Sequence, residues 1–144
     1  MTLEEISHMW EKDGPLDETN ISRDSAQTPK LHNKYYSMYS YEKLRLEKRI
    51  TEFNVFKKAK ISHLKGELDI EELKEYGWEP QRLKILKQDI ETHLEADPEI
   101  IEKSLRVGYQ HAVVDFLKSI LSQINNRSFQ INNYINWEKF KSGI

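Results

Sequence analysis

Apolar residues along this chain recur at helical spacing, in stripes separated by polar or Gly- and Pro-marked breaks. Leu3, Ile6, Met9 and Trp10 mark one face of a short first helix. Thr2-Leu3-Glu4-Glu5 has the form of a capping box, with Thr2 as N-cap and Glu5 reaching back, and Gly14-Pro15 closes the helix. Asp17 to Thr28 is polar, with Asn20, Ser22, Asp24 and Ser25 as turn or cap candidates and room for one short helical turn. Pro29 suits the first turn of a second helix, and neither Gly nor Pro follows until Gly66. Such a helix would run about 55 Å at 1.5 Å per residue. Its stripe is narrow: Tyr35, Tyr39, Leu46, Ile50, Phe53, Phe56, Ile61 and Leu64. A narrow stripe on so long a helix calls for a partner helix, within the chain or from another copy.

Gly66 through Pro80 reads as an acidic connection with one helical turn, and Leu83, Leu86, Ile90 and Leu94 then repeat at helical spacing. Asp97-Pro98-Glu99 opens a further helix, with Asp97 as N-cap and Pro98 at the first position. Ile101, Leu105, Tyr109, Ala112, Val113, Phe116, Leu117, Ile120, Leu121 and Ile124 give it the broadest apolar face in the protein. Asn125-Asn126-Arg127-Ser128 breaks it, and a last helix from Phe129 to Phe140 carries Ile131, Tyr134, Ile135 and Trp137. The expected fold is all-α, a hairpin or bundle of long helices in one domain over 1–144. Its parts are an N-terminal helix and linker (1–28), a long basic helix (29–66), an acidic connection and helix (67–96), and C-terminal oligomerisation helices (97–144).

Composition narrows the function. With 38% hydrophobic and 32% charged residues in 144, the chain has enough apolar side chains for stripes and too few for an all-round core. Helices of this kind complete their burial against other subunits. The absence of Cys excludes a disulfide scaffold, a thiolate zinc site and a Cys nucleophile. Without a signal peptide or a membrane-length apolar run, the expected setting is a reducing cytoplasm, with no membrane partner. His8, His32, His63, His93 and His111 are isolated, so no metal site, no cofactor and no catalytic residue is expected, and the protein reads as a non-enzyme.

The net charge of −2 conceals four blocks: −3 over 1–41, +5 over 42–65, −7 over 66–104 and +3 over 105–144. A basic block inside an acidic chain points to a localised anion-binding surface, or else to a helix face whose bases pair with a neighbour's acids. Lys57, Lys58, Lys60 and Lys65 concentrate at the end of the long helix as a broad band. Part of the clustering has a local cause, since cations favour a helix C-terminus. Lysines act on phosphate as point charges, so a nucleic acid bound here would be read without sequence preference. Tyr35 and Tyr39 fall on the stripe and read as packing before stacking platforms, and Phe129 beside Arg127 reads as a helix staple.

Several segments, in order along the chain, carry a resemblance. They are Met-Thr-Leu-Glu-Glu-Ile at the start with Met9-Trp10-Glu11, Pro29-Lys30-Leu31-His32, and Lys58-Ala59-Lys60. Leu94-Glu95-Ala96-Asp97, Ile124-Asn125-Asn126-Arg127-Ser128-Phe129-Gln130-Ile131 and Trp137-Glu138-Lys139-Phe140 complete the set. The chain resembles the UvsY family of recombination mediators from T4-like phages, most of all its cyanophage branch, nearly end to end.

The resemblance implies a mediator that binds single-stranded DNA, assembles into a ring-like hexamer or heptamer, and acts in the host cytoplasm during infection. Its implied partners are a phage single-strand binding protein and a phage RecA-like recombinase, which it helps onto coated strands. The family's Lys-Ala-Arg cluster carries over onto Lys58 and, with Lys for Arg, onto Lys60, with Lys57 and Lys65 beside them. Ser62-His63-Leu64-Lys65-Gly66 departs from the family's aromatic residues, so no stacking role carries over there. The family's subunit contacts, toward the C-terminus, fall on Val113, Phe116, Leu117, Ile120, Leu121, Ile124, Ile131 and Ile135. The competing reading is a coiled-coil adaptor without DNA-binding activity.

Overall fold

The computed structural model describes residues 1–83 and 85–143, and among them the elements are six α-helices and one 3-10 turn, with no strand. In order these are α1 (Leu3–Asp13), α2 (Ile21–Leu64), α3 (Ile70–Tyr76), the 3-10 turn (Lys87–Asp89), α4 (Ile90–Glu95), α5 (Pro98–Asn125) and α6 (Arg127–Lys141). The chain gathers into two compact units, one of residues 1–45 with 110–144 and one of residues 46–109. Helices α2 and α5 each contribute to both.

Local chemistry sets most of the boundaries. Thr2 accepts the Glu5 N–H at 3.1 Å while the Glu5 carboxylate accepts the Thr2 N–H at 2.9 Å, so the capping box forms as expected. Asp97 caps α5, its Oδ1 accepting the N–H of Glu99 and of Ile100. Gly66 adopts φ 73°, a left-handed conformation that lets its N–H reach the His63 carbonyl and ends α2.

Helix α2 differs from expectation at its start. It begins at Ile21, so Pro29 lies inside it and does not open it. Asn20 accepts the Arg23 N–H at 3.3 Å, Asp24 accepts the Asp17 N–H at 2.5 Å, and Thr28 Oγ1 donates to the Asp24 carbonyl. These side-chain bonds hold the turn ahead of the proline. The acidic connection contains more helix than expected, because Asp69 caps the two-turn α3 through the Glu72 N–H. The stripe from Leu83 to Leu94 holds less, since α4 starts only at Ile90 and Leu83 and Leu86 are exposed.

In the first unit Ile6, Tyr35, Val113, Leu117, Ile120, Leu121 and Ile124 form a buried core, with Leu3, Trp10, Leu31, Met38, Tyr39 and Phe116 packed around it. Trp10 meets Tyr35 edge-on, ring centroids 5.3 Å apart. The Tyr35 hydroxyl donates to Asp13 at 2.9 Å, and Lys34 donates to the same oxygen at 2.6 Å. Burial opposes ionisation of Asp13, but these two bonds outweigh it and hold the carboxyl below its ordinary value. Burial and the Asp13 bond push the Tyr35 phenol well above its ordinary value. Glu42, fully buried, accepts Gln110 Nε2 at 2.7 Å, and its carboxyl is likewise lowered because bonds from Gln110 and the Met1 amino group overcome burial.

Most residues of the expected subunit seam pack inside the single chain. Val113, Leu117, Ile120, Leu121, Ile124 and Ile131 are buried in the folded chain itself, and Phe116 packs against the same core. The part of the α5 face from Val113 to Ile124 is covered by α1 and α2 of its own chain, whereas Ile101, Leu105 and Tyr109 are exposed. Of the eight residues only Ile135 is exposed, at 40%.

Candidate nucleic-acid interface

The second unit carries the basic block of α2. Its core is Ile90, Leu94 and Ile100, against which Phe53, Phe56, Ile61, Leu64 and Ile85 pack. The core stripe of α2 therefore sets the direction of every lysine around it.

The four lysines do not form one surface. Lys57, half-buried, lines a hollow of about 370 Å³ with Phe53, Leu94, Ile100 and Leu105 and with the carboxylates of Glu91 and Glu95. Lys58 is exposed and lines a different hollow, beside Tyr76, Glu72 and Glu75. The charge of Asp69, with desolvation and Glu75 adding to it, raises the Glu72 carboxyl above its ordinary value, the mark of a crowded acidic rim. Lys65 is exposed just beyond the end of α2.

Lys60 departs furthest from the expected band. It is only 6% exposed, and its ammonium lies 3.1 Å from both Asp97 Oδ2 and Glu99 Oε1. The same Nζ sits 4.3 Å from the ring centroid of Trp78, whose indole N–H donates to Glu99 at 3.1 Å. Burial opposes ionisation of Asp97, but the Ile100 N–H, the Lys60 ammonium and the Glu99 N–H outweigh it and hold the carboxyl below its ordinary value. Lys60 thus ties α2 to the start of α5 in the folded chain. The sequence carries the signal for this: Lys60 stands four residues from Phe56 and four from Leu64, on the packed face of the helix.

Around Lys60 lies an aromatic cluster missing from the sequence reading. Tyr76 and Trp78 stack at 4.3 Å, Phe56 meets Trp78 edge-on at 5.6 Å, and His63 lies 5.1 Å from Trp78. Lys103 Nζ sits 4.7 Å from the Phe56 ring centroid. With Tyr76 on one side and the Lys60 cation also over its ring, Trp78 is a structural ring, and Phe56, Lys60 and His63 stand too far from it in sequence for spacing to reveal them.

On α6, Phe129, Ile135, Trp137 and Phe140 are exposed, and Trp137 stacks on Phe140 at 5.6 Å. Among the described residues no cluster of His, Asp or Glu is arranged to hold a metal ion, and no helix is long and apolar enough to cross a membrane.

Together these features define a class: an all-α protein of two compact helical units, with cationic side chains exposed around the second. The particular family follows from comparison. The chain belongs to the UvsY family, described as "Recombination, repair and ssDNA binding protein UvsY", which matches residues 9–144. It is 24% identical over 143 residues, 99% of each chain, to the recombination protein uvsY of Enterobacteria phage T4. Its fold is similar to crystal structures of the bacteriophage T4 recombination mediator protein UvsY. One matches with a TM-score of 0.84 at 23% identity over 99% of this chain and 98% of the other. A second lattice form gives 0.84 at 22% identity, over 97% and 99%.

Proposed function

We propose that this protein is a recombination mediator, without enzymatic activity, that binds single-stranded DNA irrespective of sequence. It promotes loading of a RecA-like recombinase onto strands coated by a single-strand binding protein. The observation that carries this reading is the family match over residues 9–144, supported by one fold from end to end with the phage T4 mediator.

The site chemistry agrees with it. Lys58 and Lys65 are exposed and Lys57 is half-buried around the end of α2, where phosphate gains Coulomb energy without base readout. Lys60 supports the site by fixing the helix that carries them. One protomer has too few such contacts for tight binding, and a ring of six or seven copies multiplies them. The exposed apolar residues of α6, Phe129, Ile135, Trp137 and Phe140, are the surface for that assembly.

One observation favours the adaptor reading: Lys60 is neutralised by acids of its own chain. A loading assay separates the two. On a strand saturated with its cognate single-strand binding protein, a mediator shortens the lag before the recombinase begins DNA-dependent ATP hydrolysis. An adaptor leaves the lag unchanged.

A further inference from the structure

The basic surface of the second unit extends beyond the lysines of α2. Arg49 and Phe53 lie four residues apart on α2, and Lys103, Arg106 and Val107 stand three and four apart on α5. These two faces border a cleft of about 470 Å³, whose only carboxylate among the lining residues is Glu52. Glu52 is drawn to Lys48 at 3.9 Å. Lys103 is half-buried with its ammonium over Phe56, and none of the ion pairs among the described residues involves it. Arg106 touches Glu102 at 3.5 Å, a solvent-exposed pair that competes weakly with phosphate.

We propose that this cleft is a phosphate-binding segment of the single-strand path, with Lys103 and Arg106 as the phosphate contacts and Phe53 as its apolar floor. The proposal rests on the DNA-binding reading above and deepens it. An arginine fork and a nearby ammonium match the non-bridging oxygens of a phosphodiester, and the cleft has room for one nucleotide unit. Phe53 also lines the neighbouring hollow that holds Lys57, where Glu91 and Glu95 stand against a polyanion, so the phosphate contacts are confined to Lys103 and Arg106.

The test is fluorescence anisotropy of a labelled oligo-dT strand across salt concentrations, with wild type, Lys103→Gln/Arg106→Gln, and the charge-matched control Lys12→Gln/Lys30→Gln. All four positions lie on the surface or half-buried, and unchanged circular dichroism and melting confirm the fold. Removing two phosphate contacts lowers low-salt affinity about tenfold and flattens the log–log salt slope by about 1.4, at 0.7 per contact, while the control keeps the wild-type slope. Free dTMP in excess distinguishes a site for any phosphate, which it would compete for, from one that requires the strand. A cleft variant with wild-type affinity and slope overturns the proposal, as does a control that loses as much. No binding by wild type itself overturns the DNA-binding reading, and the cleft with it.

Discussion

The Lys60 ammonium lies 3.1 Å from Asp97 Oδ2, joining the C-terminal part of the long helix to the residue that caps α5. Asp97 therefore does two jobs, holding backbone N–H groups with one oxygen and a buried cation with the other. Lys60→Ala removes the cation and leaves Asp97 and Glu99 facing each other without it. Because both carboxylates keep some solvent, the loss sits near the low end for a broken buried pair, roughly 3 kcal/mol. Urea denaturation monitored by circular dichroism should show a lower midpoint, and Lys60→Arg should recover part of it. An unshifted midpoint for Lys60→Ala would show that the pair contributes nothing to the fold.

Acid should unfold the protein through three carboxylates, of which Asp97 is one. Asp13, Glu42 and Asp97 all have folded-state values below their ordinary ones. The unfolded chain takes up protons first, so their stabilisation is complete above about pH 5 and is lost as pH falls through the depressed folded values. Melting temperature against pH should be flat above that point and fall below it. Asp97→Asn should reduce the acid-side slope, and a slope equal to wild type would remove Asp97 from the linkage.

Pro29 occupies a helix interior where it donates no N–H and crowds the preceding turn. Pro29→Ala should raise stability by about 1–2 kcal/mol, since the helical backbone is already in place. A destabilised variant would show that the proline shapes α2 in a way the packing requires.

How much of this was legible in the sequence follows the reach of each cause. Thr2 with Glu5, Gly14-Pro15 and Asp97-Pro98 act over a few residues, and the elements they set appear where expected. Pro29 misleads because Asn20, Asp24 and Thr28 secure a helical turn ahead of it by side-chain bonds that compete with its breaking effect. Spacing shows that the α5 face from Val113 to Ile124 is apolar and not what covers it, and the subunit contacts expected there rest on the resemblance. Ile6 and Tyr35, more than 70 residues away, cover that face within the chain. Charge and register group the lysines into one broad band, but packing separates them: Lys60 is buried on the packed face, with Lys57 and Lys58 in different hollows. Lys103 and Arg106 lie on another helix, beyond the basic block, where charge along the chain does not group them with it.

Assembly should depend on α6. Trp137→Ser with Phe140→Ser removes two exposed aromatic side chains without touching the buried Arg127 or Ile131. Sedimentation velocity should show a smaller species than wild type, with helicity retained. A double variant sedimenting as wild type would place the subunit contacts elsewhere.

The central claim is sequence-independent binding of single strands through charge, and a salt titration with Lys58→Ala/Lys65→Ala tests it most directly. Labelled oligo-dT should bind wild type tightly at low salt, with log affinity falling linearly against log salt. The double variant should bind more weakly and with a slope shallower by up to about 1.4. Equal binding and equal slope for the two proteins, or no binding by wild type at low salt, would contradict the account.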